Sequence, residues 1–263
     1  MEIDFDLQND FKEEEEYDFG NGPVPAHRHI RGGGWVANTA TVDNDCFVGP
    51  YARVFENARV SGQSIINDSA SVFDNATVCI GSRVYGDAMV YDSASVRGNA
   101  RVSGFSKVYG NSRVMDNAQI YESAEIFENA VVCNNAEIYD NCKVHGDAYI
   151  YESIKLYGHT VVTRKPILGL GFDYPVTITD HHVLLGCTVA PPSILLKLGR
   201  RIITLLGYEK EQADLWLEII TKLIQVHGCT DIEEELTHEN ERNIILNLIT
   251  ERNAGSDRDP RTR

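Results

Sequence analysis

Residues 84–108 decide the fold: Val84-Tyr-Gly-Asp-Ala-Met-Val90-Tyr-Asp-Ser-Ala-Ser-Val96-Arg-Gly-Asn-Ala-Arg-Val102-Ser-Gly-Phe-Ser-Lys-Val108. A valine recurs at every sixth position, and two places before each stands a small residue, Ala88, Ala94, Ala100 or Ser106. An α-helix returns to one face every 3.6 residues and a continuous strand every second residue, so neither gives a period of six. A short strand followed by a tight turn does, with the small residue and the aliphatic both pointing inward. Asn, Asp, Ser and Gly crowd the slot before the small residue, as in Asp87 and Asn99, and are expected there to carry the left-handed turn conformation.

Outward from this stretch the register holds from Val36 to Val162 without an insertion or deletion, and the small position runs from Ala40 to Ala148, with Ile154 the one bulky exception. The fold class is an all-β solenoid followed by a C-terminal α-helical segment. The pattern resembles the left-handed parallel β-helix of hexapeptide-repeat proteins, in which three hexads close one triangular coil. That resemblance implies about seven coils, stacked into a prism roughly 34 Å long at about 4.8 Å per coil.

The flanks read differently. Residues 1–28 form an acidic N-terminal arm, 29–165 the solenoid, 166–190 capping strands, 191–252 C-terminal helices and 253–263 a disordered tail. Trp35 is expected as a lid over the first coil. Residues 209–227 place Leu215, Ile219, Leu223 and Val226 on one helix face and end at Gly228, a C-cap residue. A third helix is expected from Thr230, with Glu233 at capping-box spacing. The order Gly32-Gly-Gly-Trp-Val-Ala37, hexads, then Thr177-Ile-Thr-Asp180 and Gly186-Cys187 resembles the YdcK-like hexapeptide proteins of bacteria and their phages. The resemblance implies a phage or prophage source, an acyltransferase label, and a homotrimer before a dimer.

The formal charge of −15 divides as −6 over residues 1–38, −6 over 39–162 and −3 over the remainder. Such a balance argues against direct nucleic-acid binding and against anionic membranes, and it suits a basic protein partner. No apolar run reaches the roughly 18 residues of a membrane span, and residues 1–20 lack the pattern of a signal peptide, so a cytoplasmic protein is expected. The six cysteines read as reduced thiols, because Cys79 and Cys133 share a face but lie three coils apart, about 14 Å.

Chemistry is sparse. Hexapeptide acyltransferases use a histidine base and a loop thrown out from the coils, and no such loop interrupts the hexads. The one candidate base is His145, on a flat face; His159 falls at a turn. No cofactor is called for. His181 and His182 would point to opposite sides of a strand, a poor chelate, so no metal site is expected, and Asp180 and His182 are read as polar groups facing water.

Sorting the residue after each inward aliphatic gives the most distinctive surface. One face stacks Phe55, Phe73, Tyr91, Tyr109 and Phe127, then His145. A second carries Tyr85, Tyr121, Tyr139 and Tyr157, interrupted by Ser103, and a third is mixed. Stacked rings stabilise neighbouring coils by about 0.5–1.5 kcal/mol per pair, and a continuous apolar stripe also marks an interface. In the arm, the alternation Ile3-Phe5-Leu7 could add as a strand to a partner; residues 1–19 are expected to be dispensable for folding. The sequence is read as a non-catalytic oligomeric scaffold or binding protein. The alternatives are a hexapeptide acyltransferase and an acidic inhibitor of a host nucleic-acid-processing or defence complex.

Overall fold

The computed structural model describes residues 15–169, 176–185, 188–205 and 207–230. Ile3, Phe5 and Leu7, the third helix expected beyond Thr230 and the tail from 253 lie outside them. From Trp35 to Val162 the chain forms a parallel β-solenoid of three sheets, built from strands of two or three residues. Every pairing links residue i to i+18, as in Val54 with Val72 and Val78 with Val96, so the register never slips. The sheets are named here by their outward residues: the aromatic face, the tyrosine face and the mixed face.

The inward aliphatics from Val48 to Val162 are all at most 1 % exposed, and only Val42 in the first coil is partly covered. Small residues accompany them because each meets a corner. Most hydroxyls at this position turn back on the carbonyl three residues earlier, Ser64 to Ser61 at 2.7 Å, Ser106 to Ser103 at 2.7 Å and Thr160 to Tyr157 at 2.7 Å, while Ser112 donates to Ile126 O at 3.2 Å. A buried hydroxyl thus loses no hydrogen bond. Ile154 is tolerated because its position is the last at its corner, where it fills the end of the prism.

The left-handed residue sits one place earlier than the sequence suggests. Positions 56, 62, 68 and every sixth residue to 158 have φ between 54° and 74°. The expected slot, Asn57 or Asn99, instead sends its side-chain amide up the prism. Asn57 donates to Asn75 at 3.4 Å, Asn117 to Asn135 at 3.2 Å and Asn129 to Asp147 at 3.2 Å. The two jobs are split between neighbours. The left-handed position often carries an acid, whose carboxylate accepts the backbone N–H of its counterpart one coil on: Asp74 from Asp92 at 3.0 Å, Asp116 from Asn134 at 3.0 Å and Glu128 from Gly146 at 2.8 Å. These N–H groups would otherwise lack a partner in the ladder.

Both ends are closed. β1 (Glu16–Asp18) and β2 (Pro23–Arg28) form an antiparallel hairpin that continues the aromatic sheet through β3 (Trp35–Ala37). This hairpin covers the first edge of the aromatic sheet; Trp35 itself stands on the outer face. At the other end, antiparallel strands Ile167–Gly169, Val176–Ile178, Val183–Leu185 and Thr188–Ala190 form one sheet. Its Leu184 joins the solenoid core, while Val176, Ile178, Val183 and Leu185 pack with α1 (Pro192–Leu205) and α2 (Lys210–His227).

Three expectations change here. Asp180 and His182 are buried in the turn between Val176–Ile178 and Val183–Leu185. The Asp180 carboxylate accepts Thr163 N at 2.5 Å and Thr163 Oγ1 at 3.1 Å and pairs with Arg164, making it a junction between solenoid and cap. On α2 the buried residues are Ala213, Ile220 and Ile224, whereas Leu215 and Val226 are exposed. The winning stripe lies toward α1, where a side chain at Gly199 would run into Leu217 Cδ1 at 2.5 Å. The helix ends as read, at Gly228 with φ 71°.

Candidate functional site

The aromatic face places all five predicted rings in one column. Phe55, Phe73, Tyr91, Tyr109 and Phe127 follow at centroid spacings of 4.8, 5.0, 4.9 and 5.0 Å with planes within 5°. The spacing is that of the coils themselves, since each ring leaves an identical backbone position one strand further on. It lies within the range of favourable aromatic stacking. Each ring is half-buried, its faces taken by its neighbours and its edge left at the surface.

His145 closes the column. Its ring stacks on Phe127 at 4.5 Å and 7°, and its Nδ1 lies 3.6 Å from Glu128 Oε2. The imidazole is thereby oriented as the last member of a stack. His159, at a corner, is exposed.

The other end holds residues the sequence reading missed. Phe19 stacks on Phe55 at 4.8 Å, and Tyr17 stacks on Trp35 at 4.5 Å. The hairpin thus folds two rings of the arm onto the face. The available signal was the Tyr17-Asp18-Phe19 alternation next to Gly20, a strand too short to stand out in an acidic run. Beside Phe19 and Phe55, a cleft of about 330 Å³ is walled by Val24, Pro25 and Ala37.

Burial raises the phenol pKa of Tyr91, and that of Tyr109 to about 12, where the charge of Glu125 adds to the effect. Tyr109 remains a neutral donor to Glu125 Oε2 at 3.4 Å. The tyrosine face is less continuous: Tyr121, Tyr139 and Tyr157 stack at 4.9 and 5.6 Å, and Tyr85 stands apart beyond Ser103. Phe105, 67 % exposed, occupies a corner slot where the next coils carry Asp87 and Ser123.

Much of the acidity has a structural use. Glu56, Asp68, Asp74, Asp92, Asp116, Glu122, Glu128, Asp140 and Glu152 all stand at left-handed corners. Among the described residues, no group of three or more metal-ligating side chains forms, and Cys46, Cys79, Cys133 and Cys142 are free thiols. No described helix is long and apolar enough to cross a membrane.

A family model described as the YdcK beta solenoid repeat matches residues 82–98, within the stretch that first revealed the period. That short stretch is similar to the YdcK beta solenoid repeat. Searches of curated proteins and of solved structures give no match. The six-residue period specifies the coils and, through its fixed register, the columns on their faces; what those faces meet is a separate question.

Proposed function

We propose that this chain is a non-catalytic, oligomeric scaffold or binding protein that associates through its aromatic face, with a trimer the first arrangement expected and a dimer the second. The observation that carries this reading is the column itself, six rings in register on a face that no projecting loop interrupts. Stacking covers the ring faces but leaves a stripe of ring edges, and apolar stripes of this length favour contact with another surface. Two further points support a non-catalytic role. The hexads between Val36 and Val162 have no inserted loop to wall an acyl-donor site, and His145 is held in a stack. The acids engaged at the corners weaken the case for an acidic inhibitor, since their placement follows from the backbone.

The test separates association from coil stacking by removing rings from either face. Phe73→Ser, Tyr91→Ser and Tyr109→Ser together should lower the mass seen by light scattering toward the 29.4 kDa of one chain, with the β-sheet circular dichroism retained. Tyr121→Ser with Tyr139→Ser removes stacking from the tyrosine face and should leave the mass unchanged. Equal masses for both variants and the parent would refute the interface.

A further inference from the structure

We propose that the cleft around Trp35 binds a small flat ring carrying one anionic group, a phosphate or a carboxylate. Tyr17, Arg28, Trp35, Pro50, Tyr51, Arg53 and Ser69 enclose about 460 Å³, a volume within the range of small-molecule sites. The strand pairing builds it. Arg28 is paired with Trp35 and Trp35 with Arg53, so two guanidinium side chains flank one indole on adjacent strands about 4.8 Å apart.

Among the described residues, the hydrogen-bond partners of both cations are neutral. Arg28 lies with Cζ 3.9 Å from the centre of the Trp35 ring and donates through Nη1 to Gly33 O at 2.9 Å and Pro50 O at 3.4 Å. Arg53 donates through Nη2 to Ser71 Oγ at 3.0 Å. Neither forms an ion pair with a described carboxylate. In a chain of net charge −15, this is a local site where an anion meets paired forks of N–H donors.

The cleft also lies where the repeat departs from its own pattern. Position 50 is the equivalent of the left-handed corners 68, 86 and 104, yet it holds Pro50, which cannot take a positive φ. Tyr51 follows, 77 % exposed, in a slot filled by Ser69 and Asp87 in the next coils. Coil closure needs neither residue. An exposed phenol ring beside an indole and two guanidinium groups supplies a stacking surface for a flat ring and donors for its acid.

The experiment titrates the full chain calorimetrically with adenosine 5′-monophosphate, indole-3-acetate, adenosine and inorganic phosphate. At least one ring acid should bind saturably, and whichever binds more tightly assigns the anion. Adenosine and phosphate alone should bind about tenfold more weakly or worse. Arg53→Gln and Tyr51→Ser should each weaken the ring acid about tenfold while leaving the melting temperature and mass unchanged. The proposal is overturned if neither ring acid binds, if phosphate alone binds as tightly as the nucleotide, or if both variants bind like the parent.

Discussion

At the corner between the tyrosine and aromatic faces, Glu122 and Asp140 stand one coil apart. Glu122 Oε2 accepts the Asp140 N–H at 2.9 Å, and Asp140 Oδ2 accepts the Gly158 N–H at 2.6 Å. A hydrogen bond between the two carboxyl groups, which needs a shared proton, raises the Glu122 pKa, with burial adding to it. A carboxyl whose folded pKa is raised binds its proton more tightly when folded. Its stabilising effect is full below the unfolded glutamate pKa of about 4.3 and is lost as pH rises through the folded value. Asp140→Asn keeps an oxygen for Gly158, as Asn134 Oδ1 does for the Glu152 N–H at 3.2 Å, and removes the second carboxyl. Its melting temperature should therefore exceed the parent's at neutral pH, and the gain should shrink as pH falls toward about 4. A gain that grows on acidification would show that the corner acids do not repel. Sequence alone located these corners to within one residue. It could not say which neighbour takes the left-handed backbone, because Asn, Asp and Gly are suited to both places.

The N-terminal hairpin shows the same limit for an element. The solenoid and its aromatic column were legible because 18-residue spacing converts directly into contact, and Phe73 must lie against Phe55 if the register holds. Nothing equivalent announces β1. Its partner lies across a turn, its three residues Glu16–Asp18 are mostly polar, and its apolar contribution is two rings, one of them just beyond the strand. The pairing of Ala26 N with Glu15 O at 2.8 Å and of Asn38 N with Pro25 O at 2.9 Å ties the hairpin down on both sides. Residues 1–19, read from sequence as dispensable, thus include part of the cap. Deleting residues 2–19 should lower the melting temperature by about 5 °C, from two lost stacking contacts and an exposed sheet edge. An unchanged melting curve would return these residues to a purely external role.

Across the whole molecule, stability should be local, since each coil touches only its neighbours. The ends then matter more than any interior coil, and Asp180 is where the C-terminal end is fastened. Its carboxylate, 5 % exposed, takes the Thr163 N–H and hydroxyl from the last coil and pairs with Arg164. Arg164 Nη2 in turn donates to Gly228 O at 3.0 Å, and the Thr230 N–H donates to Asp180 O at 3.0 Å. The last coil, the antiparallel sheet and the end of α2 thus converge on one residue. Sequence reading placed Asp180 in water because the run Thr177–His182 is polar; only its contacts with the last coil and the end of α2 reveal that it is enclosed. Asp180→Ala would strand the Thr163 N–H and free a half-exposed guanidinium, at a cost of about 3 kcal/mol. Hydrogen exchange should accelerate at Leu156–Val162 and through α1 and α2, while the amides around Val78–Val108 keep their protection. The uncovered strand edge should also promote end-to-end association. Uniform loss of protection along the prism would mean that the solenoid unfolds as one cooperative unit, and the local account would fail.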